Sequence, residues 1–175
     1  LKKHRAPKIV LDPVMVAQSG DKLLQDDAVE AIKTYLMPLA TVVTPNLPEA
    51  AALSGQEIQN VKDVENAATA LAEHGSNSIL IKGGHGNDNQ SVDLLYLAGE
   101  DRLVWLTAER IQTHNNHGTG CTLSLAIAAY LAQGHNIEHA AQKAKTFLNR
   151  AIAAGSAYKI GHGHGPVHHF FKWWE

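Results

Sequence analysis

Short apolar runs alternate with stretches of helical spacing over the first half of the chain. Runs at 8–11, 40–44 and 78–81 have the length of buried strands and end in polar residues. Between them, apolar positions recur at helical spacing over 28–36 and 61–74, and a shorter helix is predicted over 50–53. This alternation predicts an α/β fold with a mainly parallel sheet flanked by helices.

Small and polar residues mark the expected ends of these helices. Asp26 or Asp27 is predicted to cap the first helix, and Pro38 is predicted to end it. Gly55 and Gly75 are predicted to close the second and third helices. The expected buried face of the third helix is formed by its regularly spaced apolar residues, Val61, Val64, Ala67, Ala68 and Leu71.

The second half of the chain predicts a hairpin and two alanine-rich helices. Strands are expected over 92–97 and 102–106, and the turn at 98–101 favours a hairpin at one edge of the sheet. Helices are predicted over 122–132 and 137–154, where the density of alanine indicates close packing. A turn is expected at 19–21 and a polar loop at 87–90. With no internal repeat or linker, we expect a single domain over 1–175.

Polar residues follow each of the first three predicted strands, at the end where open parallel sheets bind ligands. Asp12 ends the first strand, and Asn46 and Glu49 lie just after the second. An amide and a carboxylate so placed could hold hydrated Mg²⁺, or they could form a capping box at a helix start. Lys82 ends the third strand and is followed by two glycines. This setting favours a lysine that contacts phosphate over the alternative, a lysine that is only solvated.

The run Thr-His-Asn-Asn-His-Gly-Thr-Gly-Cys-Thr at 113–122 leads directly into an apolar helix. A flexible turn before a helix directs free backbone N–H groups at one point, which favours an anion such as a polyphosphate. Cys121 lies at the helix start, where a thiolate is stabilised. The pattern indicates phosphoryl transfer, and the alternative is a plain loop-to-helix junction with a core cysteine.

Composition narrows the function classes. The net charge of −2 and the absence of a basic stripe with interleaved aromatics argue against nucleic-acid binding. One cysteine suits a reducing compartment, and no run of eighteen apolar residues occurs. These features predict a soluble, cytoplasmic protein with no nucleic-acid or membrane partner.

Histidine is abundant, with 11 residues of 175. Four of them lie in the glycine-rich tail, at His162, His164, His168 and His169. A metal site is one interpretation, but zinc ligands are usually fixed on ordered elements. We expect the tail to be a flexible cover with at most adventitious metal binding.

Four motifs occur in order along the chain: Val-Leu-Asp-Pro-Val-Met-Val at 10–16, Thr-Pro-Asn-Leu-Pro-Glu-Ala at 44–50, Ile-Lys-Gly-Gly-His at 81–85 and Asn-His-Gly-Thr-Gly-Cys-Thr at 116–122. Together they resemble the hydroxymethylpyrimidine/phosphomethylpyrimidine kinases of thiamine biosynthesis, within the ribokinase-like superfamily. The Gly-Thr-Gly-Cys form distinguishes this branch from the sugar kinases, which have aspartate at the cysteine position. The reaction implied is ATP-dependent phosphorylation of 4-amino-5-hydroxymethyl-2-methylpyrimidine and then of its monophosphate.

The resemblance also implies roles for the loop residues. His117, Gly118, Thr119 and Gly120 would form an anion hole for the transferred phosphoryl group. Cys121 would be the base that activates the substrate hydroxyl. ATP and Mg²⁺ are the implied cofactors.

The strand-end residues receive roles from the same resemblance. Lys82 would neutralise ATP phosphates, and Thr44 would lie near them. Asp12, Asn46 and Glu49 would organise Mg²⁺, with Asp12 also on the nucleotide side.

Kinases of this kind have roughly a further third of a domain ahead of the position of Ile9, as is common for α/β domains beyond about 200 residues. The resemblance therefore implies that this chain is the C-terminal portion, with a ribokinase-like fold incomplete at its N-terminal side. Unpaired strand edges would then favour a homo-oligomer, most simply a dimer, unless a separate polypeptide completes the fold.

Three alternatives stay open. The chain could be a pyridoxal or pyridoxine kinase of the same branch. It could be a truncated, non-catalytic remnant that self-associates. It could also be an anion- or metal-binding regulatory domain built on the histidine tail.

Overall fold

The computed structural model describes residues 1–15, 24–83 and 89–174. The chain divides into two compact units, one formed by Leu1–Gly83 with Asp93–Trp105 and the other by Gly84–Val92 with Leu106–Glu175. The turn expected at 19–21, residues 87 and 88 of the expected polar loop and the end of the motif at 81–85 lie outside the described residues. A single domain over 1–175 stays a prediction.

Five strands form one sheet in the order β1-β2-β3-β4-β5. The first three are parallel neighbours, while β4 runs antiparallel to β3. The sheet is therefore mixed, with the expected hairpin strands β4 and β5 at one edge and β1 at the other. The strands are β1 (Val10–Leu11), β2 (Val42–Val43), β3 (Ser78–Ile81), β4 (Gln90–Leu97) and β5 (Arg102–Glu109).

Five α-helices accompany the strands in the described part of the chain. They are α1 (Asp26–Ala31), α2 (Leu47–Ser54), α3 (Val61–Ala72), α4 (Thr119–Ala132) and α5 (Ile137–Gly155). Among these helices, none is long and apolar enough to cross a membrane.

The core of the first unit lies between the sheet and α2 and α3. Leu53 of α2, Leu71 of α3 and Ile79 of β3 are fully buried there. Most of the predicted face of α3 is confirmed, but Val61 is 62% exposed. Val61 is the first residue of α3, at the solvent-facing end of the helix.

The start and the end of the first helix differ from prediction. Neither Asp26 nor Asp27 is the N-cap: Gln25 holds that position, without a side-chain bond, and the acidic pair falls in the first turn. Acidic residues are common in the first turn of a helix because the helix dipole is positive at that end. Helical structure also continues past Pro38 through a 3-10 turn, whose first residues need no backbone donor.

In the second unit, α4 and α5 pack against each other, which is one of the two arrangements, against a sheet or each other, that the alanine density allowed. Ala140, Ala144 and Ala151 of α5 are fully buried. Helix α4 begins at Thr119, three residues before the predicted start at 122. Gly120 and Cys121 therefore lie in its first turn.

The tail is not the flexible cover that its glycines suggested. The N–H of His168 donates to the carbonyl of Ala151 at 3.0 Å, and Val167 is 4% exposed. His117 and Pro166 form a parallel bridge. Backbone pairing and a buried apolar side chain hold this segment against the rest of the unit.

Candidate active site

An ion pair lies at the carboxyl ends of the parallel strands in the first unit. Asp12 follows β1 and Lys82 follows β3, and their Oδ1 and Nζ atoms are 2.7 Å apart. Both side chains are largely buried, with 17% and 15% exposed. The backbone N–H of Lys82 donates to the carbonyl of Pro45 at 2.8 Å, which fixes the start of the Lys82 side chain.

Thr44 lies beside this pair, directly after β2. It is fully buried, and its hydroxyl is 3.4 Å from both Oδ1 of Asp12 and the carbonyl of Leu11. Thr44 therefore places its hydroxyl next to the carboxylate of Asp12.

Asn46 and Glu49 form the capping box that was the alternative to a metal site. Oδ1 of Asn46 accepts from the N–H of Glu49 at 2.8 Å, and Oε2 of Glu49 accepts from the N–H of Asn46 at 2.7 Å. The remaining oxygen, Oε1, accepts from the N–H of Met15 at 3.4 Å. These oxygens thus start α2 and join it to the segment after β1.

The pKa of Glu49 is affected by burial and also by the charges of the ion pair. Burial raises the pKa of Glu49 above its ordinary value, and this is the largest effect. The N–H groups of Asn46 and Met15 and the charge of Lys82 lower that pKa, while the charge of Asp12 raises it. Glu49 is therefore electrostatically coupled to both members of the pair.

Sequence reasoning missed a buried carboxylate that binds the backbone of Gly83, the residue after Lys82. Oδ1 of Asp93 accepts from the N–H of Gly83 at 3.1 Å, and Asp93 is 4% exposed. The signal was present in the sequence as an acidic residue inside the apolar strand β4.

The loop residues from His117 to Cys121 lie together in the second unit, at the start of α4. Gly118 is the N-cap, with φ of 81°, and no side chain caps the helix. A side chain at that φ would be strained, so the position suits glycine. The N–H of Thr119 makes only a long bond of 3.4 Å to the carbonyl of Asn116.

The backbone N–H groups of this loop divide into two sets. That of His117 donates to the carbonyl of Gly165 at 3.0 Å, so it is used within the protein. Within the ranges that the structure describes, the amides of Gly118 and Gly120 donate to no protein group. These two amides at the positive end of α4 match the requirements of an anion site.

Cys121 is exposed in the first turn of α4, so the alternative of a core cysteine is wrong. Its thiol is accessible from solvent and lies where the helix dipole stabilises a thiolate. A nucleophile or base beside unpaired amides is an arrangement that can remove a proton next to a bound anion.

The tail histidines contact polar groups of the loop. Nδ1 of His164 is 3.0 Å from Oδ1 of Asn116, and Nε2 of His169 is 2.9 Å from the hydroxyl of Thr122. Over residues 1–15, 24–83 and 89–174, no group of three His, Cys, Asp or Glu side chains has a metal-binding arrangement.

Solved structures of small-molecule kinases share this fold. Pyridoxal kinase from Staphylococcus aureus in complex with AMP-PCP matches with a TM-score of 0.84 and 40% identity, over 94% of this chain and 59% of that one. The ADP complex of Bacillus subtilis pyridoxal kinase matches with a TM-score of 0.83 and 33% identity, over 98% and 62%. By its fold, the chain therefore falls in the class of kinases that includes the pyridoxal kinases.

The family model of phosphomethylpyrimidine kinase matches residues 1–168, and the chain belongs to this family. The hydroxymethylpyrimidine/phosphomethylpyrimidine kinase of Rhizobium meliloti (strain 1021) is 49% identical over 169 residues, which are 96% of this chain and 63% of that protein. The enzyme of the same name from Escherichia coli (strain K12) is 43% identical over 99% of this chain and 65% of its own length. The chain thus spans less than two thirds of these relatives.

Proposed function

We propose that this protein transfers the γ-phosphoryl group of ATP to 4-amino-5-hydroxymethyl-2-methylpyrimidine and then to the resulting monophosphate. The observation that supports this most is the family match over residues 1–168. The chemistry of both residue groups is consistent with it, since the first unit offers a cation and carboxylates and the second offers unpaired amides beside a thiol.

The residues of the first unit are proposed to bind the nucleotide. Lys82 neutralises phosphate charge, with Asp12 holding its ammonium group in place and Thr44 donating beside it. The AMP-PCP and ADP complexes of related pyridoxal kinases support ATP as the donor.

The carboxylates of this group fit Mg²⁺ bound through water. Mg²⁺ prefers oxygen ligands and keeps several of its waters. The oxygens of Asn46 and Glu49 already accept backbone bonds, which favours outer contacts, while Asp12 is the carboxylate nearest Lys82. When bound, the ion would neutralise charge on the phosphates.

The loop at α4 is proposed to serve the transferred group. The backbone amides of Gly118 and Gly120 stabilise charge on the phosphoryl oxygens. Thr119 lies between these two residues in the same loop, and His117 precedes them. The acceptor hydroxyl oxygen bonds to the γ-phosphorus as the bond to the bridging oxygen breaks and ADP leaves. The thiolate of Cys121 takes the hydroxyl proton.

The two phosphorylations differ in their need for this base. A hydroxyl must lose its proton, whereas a phosphate monoester is mostly dianionic at neutral pH because its second pKa is about 6. We therefore expect Cys121→Ala to slow the first phosphorylation far more than the second.

A second candidate is pyridoxal phosphorylation, which the match to pyridoxal kinases at 40% identity favours. The test is kcat/KM for the pyrimidine alcohol, its monophosphate and pyridoxal, measured by release of ADP from the same preparation. A higher value for the pyrimidine alcohol than for pyridoxal supports the proposal. The reverse order assigns the protein to the second candidate.

We also propose a cytoplasmic location and a dimer. The position of β1 at one edge of the sheet supports self-association, because an edge strand presents unpaired backbone groups. Light scattering after size-exclusion chromatography measures the mass, and a monomer at micromolar concentration contradicts the dimer.

A further inference from the structure

Asn115 joins the loop before α4 to the end of α5. Its Nδ2 donates to the carbonyl of Gly155 at 2.7 Å and to that of Tyr158 at 2.6 Å. Asn115 is only 6% exposed, and both of its amide protons are used. Since carbonyl oxygens only accept, the nitrogen of this side chain must face them, which fixes its orientation.

The opposite end of the Asn115 side chain lies against the tail. A Cβ atom added to Gly165 would overlap Oδ1 of Asn115 and come within 2.8 Å of its Cγ. Gly165 is buried, and its carbonyl accepts the N–H of His117 at 3.0 Å. Gly165 therefore packs on Asn115 and, through its carbonyl, bonds the residue directly before Gly118.

A second connection joins the tail to the same loop. The hydroxyl of Thr122 is 2.7 Å from the carbonyl of Gly118 and 2.9 Å from Nε2 of His169. The carbonyl can only accept, so the hydroxyl donates to it and accepts from Nε2–H of His169. The N-cap of α4 is thus bonded, through Thr122, to the tail.

We propose that Asn115 and Gly165 are positioning residues that fix the direction of the Gly118 and Gly120 amides and the environment of the Cys121 thiol. The tail then forms part of the phosphoryl-transfer site without contacting the substrate. The role in catalysis rests on the proposed function, but the effect on loop geometry can be measured without turnover.

Cys121 reports on this geometry because it is the only cysteine of the chain. The test is the pH dependence of its alkylation by iodoacetamide. Gly165→Ala forces Asn115 to move, and Asn115→Asp replaces the donating NH2 group with one oxygen that faces two carbonyls. Gly163→Ala is the matched control, since its Cβ meets nothing within 4 Å.

We expect Gly165→Ala and Asn115→Asp to raise the pKa of the thiol and lower the alkylation rate at pH 7 by about two- to fivefold, the size of a helix-terminus effect on a charge. Gly163→Ala should match the wild type. Circular dichroism confirms folding, and if Gly165→Ala lowers the yield of folded protein, Asn115→Asp decides. An alkylation profile for the folded variants equal to that of Gly163→Ala overturns the proposal.

Turnover gives a separate readout. With the pyrimidine alcohol, displaced amides should lower kcat about ten- to a hundredfold while KM for ATP changes little, because the loss falls on the transition state. A wild-type chain that shows no turnover contradicts the proposed function, and the alkylation profiles still decide the positioning role. An unchanged kcat in both folded variants overturns the role in catalysis.

Discussion

The coupling between Lys82 and Asp12 can be measured with a double-mutant cycle. The perturbations are Lys82→Met, Asp12→Asn and both together. Nζ of Lys82 and Oδ1 of Asp12 are 2.7 Å apart, and 15% of the Lys82 side chain and 17% of the Asp12 side chain are exposed. This burial lies between exposed pairs, worth about 0.2–1 kcal/mol, and buried ones, where removal of one partner costs about 3–5 kcal/mol.

From that intermediate burial we expect Lys82→Met to lower the free energy of unfolding by about 2 kcal/mol. It leaves two carboxylates, Asp12 and Glu49, without their cation, and it should raise the pKa of Glu49 further, because the Lys82 charge lowers it. Asp12→Asn should cost less, since Lys82 still faces Glu49. The coupling energy should be about 1–2 kcal/mol.

Urea unfolding followed by circular dichroism measures each variant. The matched control is the pair Lys62–Glu65 on α3, which is 3.1 Å long but has 74% of the Lys62 side chain exposed. Its coupling in an equivalent cycle with Lys62→Met and Glu65→Gln should be about 0.3–0.5 kcal/mol. A Lys82–Asp12 coupling no larger than this control would refute the reasoning from burial.

Three further predictions concern single residues of the first unit. Burial raises the pKa of Glu49 above its ordinary value of 4.5, so its contribution to the free energy of unfolding is full below that pH and is lost as pH rises through the folded pKa. Glu49→Gln should remove this pH-dependent loss of stability, measured by urea unfolding between pH 4 and 7.5. Asp93→Ala removes the acceptor of the Gly83 N–H and should lower the free energy of unfolding by about 1–3 kcal/mol in the same measurement at pH 7. A loss below experimental error would contradict a role of Asp93 in holding the backbone of Gly83. Gly55 has φ of 70°, so Gly55→Ala should lower the free energy of unfolding by about 1 kcal/mol. Gly99→Ala is the control, because Gly99 has no positive φ and an added Cβ would meet open space, so its effect should be smaller. Equal losses in the two variants would exclude backbone strain as the cause.

The order of elements could be predicted from the sequence because each buried strand is a short apolar run between turn residues. The predicted limits of β3 match the structure, since Ser78–Ile81 is buried at every position. The runs at 8–11 and 40–44 contain only two strand residues each, because pairing between them is limited to Val10–Val42 and Leu11–Val43. Periodicity reports burial but not the length of the hydrogen-bonded ladder.

The start of α4 was harder to predict. Glycine disfavours helix interiors, so Gly120 pointed to a loop, yet the first turn of a helix tolerates it. For Asn46 and Glu49 the spacing allowed two interpretations, and only the backbone bonds identify the capping box. The metal role of these residues stays a prediction.

The contacts of Asn115 could not be predicted from the sequence. Its acceptors are 40 and 43 residues away, and nothing in the local pattern indicates that the tail returns to this loop. Likewise, the glycines of the tail suggested flexibility, whereas Gly165 is required by close packing. The pattern of apolar positions does not predict which distant residues a small or polar side chain contacts.

Transfer of phosphorus from γ-labelled ATP to the pyrimidine alcohol and to its monophosphate is the most direct test of the proposed reaction. The wild-type chain should label both acceptors. Cys121→Ala should lose at least about a hundredfold in rate with the alcohol, as expected for a general base, and much less with the monophosphate. Leu125→Ala, one turn along α4 and 71% exposed, should keep both rates. No labelled product from the wild type, or equal labelling of the alcohol by Cys121→Ala, would contradict the account.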